Sequence, residues 1–152
     1  MIFFRLNKSK YSTDLSGKGA EKSSGRWNSK GNTLVYTSES RALATTEIAV
    51  HTPPGNVPND YTIVTIAIPD DSILEIEPAK LPPDWKSLPP VHSTQKIGDR
   101  FIMQNKFLIL KVPSAVIPGD FNFLLNPNHK DIGKVKILGV EPYSFDERLF
   151  KK

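Results

Sequence analysis

The chain has 152 residues, 38% hydrophobic and 24% charged, with 8 Phe, 4 Tyr, 2 Trp and a net charge of +4, so it has the material for one packed core and is not natively disordered. The absence of cysteine excludes disulfides, thiolate nucleophiles and Cys-based metal sites, and His51, His92 and His129 never recur at the helical spacing of a zinc motif, so no metal is expected. Lys and Arg are scattered rather than run together, which suits a site for an anionic ligand at least as well as it suits nucleic acid.

In chain order, Ile2 to Leu6 reads as a short strand. The first residues, Met1-Ile2-Phe3-Phe4-Arg5, lack the pattern of a secretory leader, so a cytoplasmic protein is expected. Asp14 to Asn32 is rich in Gly, Ser and Lys without apolar periodicity, which predicts a long loop, and such a loop is uncommon unless it serves a function. Thr33 to Tyr36 is a second strand. A helix follows from Ser38 or Ser40, either of which can cap it, and must stop by Thr52 because Pro53 and Pro54 follow. Its period sets Leu43 and Glu47 on one side.

Tyr61 to Ile68 is a core strand with Thr62, Val64, Ile66 and Ile68 on one face, ended by the turn Pro69-Asp70-Asp71. Ile73 to Ile76 is a further strand, and the prolines around Trp85 mark an irregular connection. A second helix opens near Ser93 and carries Ile97, Phe101 and Ile102. Strands at Phe107 to Val112, Phe121 to Leu125 and Val135 to Val140 complete the chain. No apolar run approaches the ~20 residues of a membrane helix, so no bilayer span is expected. The prediction is a single α+β domain over residues 1–152, with mixed and antiparallel sheets and few helices.

Three places look odd for a purely structural domain. Gly25-Arg26-Trp27-Asn28 joins a glycine, which admits close backbone approach, to an arginine whose planar fork grips phosphate; the plainer reading is a surface turn anchored by Trp27. Glu47 is a carboxylate among Ala44, Ile48, Ala49 and Val50, either at the solvated edge of its helix or partly desolvated for catalysis. Ser114 interrupts the apolar stretch from Val112 to Ile117 and needs a hydrogen bond if buried, although a turn after Pro113 also accounts for it.

Taken in order, Ser16-Gly17, Gly25-Arg26-Trp27-Asn28, Val35-Tyr36-Thr37-Ser38, Ala44-Thr45-Thr46-Glu47, Val112-Pro113-Ser114 and Leu125-Asn126-Pro127-Asn128-His129 resemble the RES-domain family, named for its Arg, Glu and Ser. The resemblance runs from Phe4-Arg5-Leu6 to the last strand. It implies a fold similar to ADP-ribosyltransferases and a bacterial toxin of a type II toxin–antitoxin pair that consumes NAD by hydrolysis or phosphorolysis, or transfers ADP-ribose to a protein. The family's Arg falls on Arg26, its Tyr on Tyr36, its Glu on Glu47 and its Ser on Ser114, and Asn126 is taken as a further substrate contact.

On that resemblance, Glu47 holds a ribose hydroxyl and opposes the charge that builds as the nicotinamide bond breaks. Arg26 binds phosphate, Tyr36 meets nicotinamide or ribose, and Ser114 orients the substrate. NAD is then a substrate and no resident cofactor is needed; the chain has no Rossmann glycine motif. The expected partner is a cognate helix-turn-helix antitoxin, with no direct contact to nucleic acid or membrane, and the family's tendency to dimerise within the complex carries over as an expectation. A basic nucleic-acid-binding module or ribonuclease is the rival from a different class, supported by net charge, Trp27 and Trp85 but by no RNA-binding motif.

Overall fold

The computed structural model describes residues 1–151. Seven strands form one sheet: β1 (Ile2–Lys8), β2 (Val35–Ser38), β3 (Tyr61–Ala67), β4 (Ile73–Glu75), β5 (Ile109–Pro113), β6 (Phe121–Leu125) and β7 (Lys136–Tyr143). Their order is β4-β5-β6-β2-β1-β3-β7, antiparallel throughout except for the parallel pair of β4 with β5. Three helices, α1 (Lys18–Lys22), α2 (Arg41–His51) and α3 (His92–Gln104), join the strands. The mixed α+β class read from the sequence is the class observed.

Local chemistry sets most boundaries. The Ser40 hydroxyl accepts a hydrogen bond from the Leu43 amide at 3.0 Å and starts α2, and the helix ends at His51, ahead of Pro53 and Pro54. Asn105, left-handed at φ 52°, closes α3. At Gly98 of α3 an added Cβ would lie 1.6 Å from the Trp27 carbonyl oxygen, so the helix can lie against the 24–31 loop only because that residue has no side chain.

β3 departs from its one-faced reading. Val64 and Ile66 enter a core with Phe3, Val35 and Phe123, while Ile63 is buried on the opposite face with Leu6, Ala44 and Phe145, because β3 is an interior strand packed on both sides. β2 lies two residues later than expected, at Val35–Ser38, where Val35 pairs with Leu125 and the Thr37 hydroxyl donates to the Phe123 carbonyl at 2.6 Å. The segment from Asp14 to Asn32, expected as loop throughout, contains α1 and a bridge between Gly25 and Asn28. Five helical residues carry no readable apolar period, and these are held from outside: Asn28 Nδ2 donates to the Ala20 carbonyl at 2.8 Å and the Gly31 amide to that of Glu21 at 2.9 Å.

One feature of the sheet opens the site. β1 pairs with β3 along seven residues but meets β2 at Phe4 opposite Ser38, so beyond that point β1 and β2 part and leave a wedge between them.

Candidate active site

A cavity of about 710 Å³ occupies the wedge. Its walls are Phe4, Arg5 and Leu6 of β1, Tyr36 to Ser38 of β2, one face of α2, Ser24 to Trp27, and Lys86, Leu88 and Pro90 of the proline-rich connection. Glu47 stands one turn after Leu43, which is buried, so the spacing that sets Leu43 inward also carries Glu47 to the cavity wall.

The Glu47 carboxylate is held from one side. Its Oε1 accepts from Ser114 Oγ and from Asn122 Nδ2, each at 2.8 Å. Both bonds end on the same oxygen, and Oε2 takes none among the described residues. Asn122 is fixed in turn by Ser38, whose hydroxyl donates to its Oδ1 at 2.7 Å. Ser114 is 3% exposed, and its oxygen also accepts from the amides of Val116 and Ile117 at 3.1 and 3.0 Å. The turn after Pro113 and the bond to Glu47 therefore coexist on one hydroxyl, which donates to the acid while accepting from the backbone.

Arg26 and Tyr36 line the same cavity. Arg26 Nη1 donates to the carbonyls of Trp85 at 2.7 Å and Ser87 at 3.1 Å, so this guanidinium clamps the proline-rich connection over the site. Partial burial lowers its pKa from the ordinary arginine range, against the opposing effect of the Glu47 charge. The Tyr36 hydroxyl donates to Asn28 Oδ1 at 2.5 Å, and burial raises its pKa well above the ordinary tyrosine range, which keeps it a neutral phenol. Gly25 lies against this pair: a Cβ there would sit 2.7 Å from the Tyr36 hydroxyl, so only glycine fits beside it. Trp27, 3% exposed, packs toward Trp85 with ring centroids 6.3 Å apart, so the anchoring reading of Trp27 and the cavity position of Arg26 both hold.

The structure thus brings Arg26, Tyr36, Glu47 and Ser114 together and leaves Asn126 out. Asn126 is fully buried away from the cavity: Nδ2 donates to Asn105 Oδ1 at 2.7 Å and Oδ1 accepts from the Asn128 amide at 2.9 Å. The residue expected as a substrate contact thus lies outside the lining of this cavity. β6 ends at Leu125, and Asn126 turns to tie the strand end to the close of α3. The sequence draws attention to Asn28 and Asn122 but gives neither a role: Asn122 props Glu47 and Asn28 holds Tyr36, and neither bond follows a local spacing. Among the described residues no set of three or more His, Asp or Glu forms a metal-binding group, and no helix is long and apolar enough to cross a membrane.

A carboxylate with one oxygen anchored and one unbonded, in a cavity that also carries a guanidinium and a neutral phenol, is suited to stabilising positive charge on a polar, partly anionic substrate. Comparison with known proteins narrows the field. The family model of the RES domain matches residues 2–146. The chain belongs to the RES domain family. Among relatives, it is 35% identical over 142 residues to the Prs ADP-ribosylating toxin of Sphingobium sp. (strain YBL2), with 91% of this chain and 88% of that protein covered. It is 34% identical over 152 residues to Toxin Res of Yersinia enterocolitica, covering 98% and 99% of the two chains. Toxin Res of Pseudomonas putida is 36% identical over 152 residues, at 99% and 100% coverage. The fold is similar to that of a chain in the crystal structure of the M. tuberculosis MbcT–MbcA toxin–antitoxin complex, with a TM-score of 0.74 over 98% of this chain and 86% of that one at 18% identity. At that identity the likeness is one of fold. Within the chain, Arg26 and Glu47 line one cavity and Ser114 bonds to Glu47 against its wall.

Proposed function

We propose that this chain is the toxin of a toxin–antitoxin pair and that it acts by breaking the bond between nicotinamide and ribose in NAD. The toxin reading is supported by relatives named Toxin Res and by the fold shared with a toxin–antitoxin complex. The chemistry is carried by one observation, the Glu47 carboxylate anchored through Oε1 with Oε2 unbonded on the cavity wall. As the glycosidic bond breaks, its electron pair leaves with nicotinamide, whose ring nitrogen becomes neutral, and positive charge spreads over the ribose C1 and ring oxygen. Oε2 holds a ribose hydroxyl and opposes that charge, while Ser114 and Asn122 keep the carboxylate from turning away. Tyr36, neutral and fixed by Asn28, offers its ring and hydroxyl to the nicotinamide ribose, and Arg26 offers its nitrogens other than Nη1 to a phosphate.

The acceptor is water or phosphate. Either attacks C1 and gives up a proton, leaving ADP-ribose or its 1-phosphate. Purified protein should release nicotinamide from NAD, with mass spectrometry identifying the second product with and without phosphate present; no release under either condition contradicts the reading. Transfer to a protein is the second reading, favoured by the relative named an ADP-ribosylating toxin. Labelled NAD added to lysate then gives a discrete labelled band, whereas label confined to small molecules supports degradation. The partner we propose is a helix-turn-helix antitoxin, whose co-purification with the chain should suppress nicotinamide release.

A further inference from the structure

We propose that the proline-rich connection is a closing strap: Leu88 moves onto Val50 over the mouth of the cavity when substrate is bound, and Arg26 is the latch that couples the two events. The proposal rests on the NAD reading for the identity of that substrate, but the strap itself is argued from geometry. Five of the thirteen residues from Pro78 to Pro90 are prolines, which carry no N–H, so the segment has few donors with which to join a sheet. Its backbone bonds are local. The Leu81 amide donates to the Pro78 carbonyl at 3.2 Å, Trp85 to Pro82 at 3.1 Å and Ser87 to Asp84 at 2.9 Å, and Lys80 donates to its near neighbour Glu77. Among the described residues, the hydrogen bonds that tie this segment to a distant part of the chain are the two from Arg26 Nη1 to the carbonyls of Trp85 and Ser87.

Packing fixes one part of the segment and leaves another free. Trp85 is buried beside Trp27, and Leu81 packs against the same cluster. Beyond Trp85 the chain is exposed at Lys86, Leu88 and Pro89. Leu88 is 76% exposed although it lines the cavity, and Val50 of α2, on the same lining, is 54% exposed. Two large apolar side chains thus stand uncovered at one mouth, the first on a helix and the second on a segment held by a single nitrogen. Without a ligand, closing gives Leu88 only Val50 to cover; a nucleotide in the cavity adds its own face to that contact. Phosphate on the remaining nitrogens of Arg26 holds the guanidinium still, and with it the Trp85 and Ser87 carbonyls, so ligand and strap each favour the other's bound state. Closure also keeps water from the Glu47 carboxylate and so strengthens its action on the developing charge.

Because the chain has no cysteine, Val50→Cys combined with Leu88→Cys introduces one reporter pair, able to bond only when the two Cα atoms come within about 7 Å. The test follows oxidation of this double variant alone, with NAD and with ADP-ribose, alongside calorimetric binding of both ligands, NAD turnover, and the kinetics of Leu88→Ser and Leu88→Met. Crosslinking should run roughly 10-fold faster with either ligand, and the oxidised protein should lose turnover and regain it on reduction. Leu88→Ser should raise KM for NAD about 5- to 10-fold with a smaller change in kcat, and Leu88→Met should restore it. Both single variants should unfold at the wild-type temperature, since Leu88 is exposed. Crosslinking that is as fast without ligand, that never occurs, or that leaves turnover intact would overturn the strap, as would a wild-type KM in Leu88→Ser. The two readings separate. Ligand-driven crosslinking without nicotinamide release keeps the strap and removes NAD cleavage, whereas nicotinamide release with ligand-independent crosslinking does the reverse; absence of NAD binding removes both.

Discussion

Two asparagine-centred networks lie four residues apart on the same stretch of chain, and they differ in whether they are closed. Around Asn126, every side-chain bond ends inside the protein: Asn126 joins Asn105 to the Asn128 amide, and His129 accepts from the Asp131 amide through Nδ1 while its Nε2 meets the Lys106 carbonyl at 3.2 Å. Around Asn122, which Ser38 fixes, Asn122 and Ser114 converge on one oxygen of Glu47, at the cavity wall, and leave the other unbonded. Asn126 and His129 are buried, whereas Glu47 and Asn122 are only half-buried. The open network holds a charged atom in readiness for something outside the protein; the closed one holds two elements together.

Substitutions sharpen that contrast. Asn126→Ala should have the largest effect on stability, on the order of 2 kcal/mol, because it strands the Asn128 amide and the Asn105 oxygen; turnover per folded molecule should stay at the wild-type value, as denaturant melts paired with active-site titration would show. Loss of activity at full stability in Asn126→Ala would erase the distinction. Ser114→Ala should act in the other sense, lowering kcat about 10-fold by releasing one of two props on Glu47, with KM for NAD nearly unchanged. Its stability cost, about 1 kcal/mol, reflects the Val116 and Ile117 amides left without their acceptor. Tyr36 gives the smallest signal. Because burial disfavours the phenolate and moves its pKa upward, raising the pH through about 10 should leave Tyr36 protonated, so the folded wild type and Tyr36→Phe should show equal phenolate absorbance in that range.

The sequence made some of this legible and not the rest. Ser40 and the Pro53-Pro54 pair bound α2 correctly, and the interval from Leu43 to Glu47 set the acid on the inward side, because helical period acts over a single turn. β6 was readable to the residue for the same local reason. The partners of Glu47 were not, since Asn122 reaches it through the pairing of β2 with β6, across contacts 75 and 84 residues apart that no periodicity announces. α1 stayed hidden because its stability comes from Asn28 and Gly31 rather than from its own five residues. The inward turn of Asn126 was not legible either, because proximity to a motif says nothing about which way a side chain turns once its strand has ended.

The most direct measurement compares nicotinamide release and thermal unfolding of the wild type with those of Glu47→Gln. This change preserves shape, and in one amide orientation an oxygen still faces Ser114 and Asn122, but it removes the charge. Turnover should fall by about 100-fold or more, on the order of 3 kcal/mol in the barrier, while the unfolding temperature moves little. A Glu47→Gln protein that folds normally and cleaves NAD at the wild-type rate would contradict the central claim that the unbonded oxygen of Glu47 acts on the substrate.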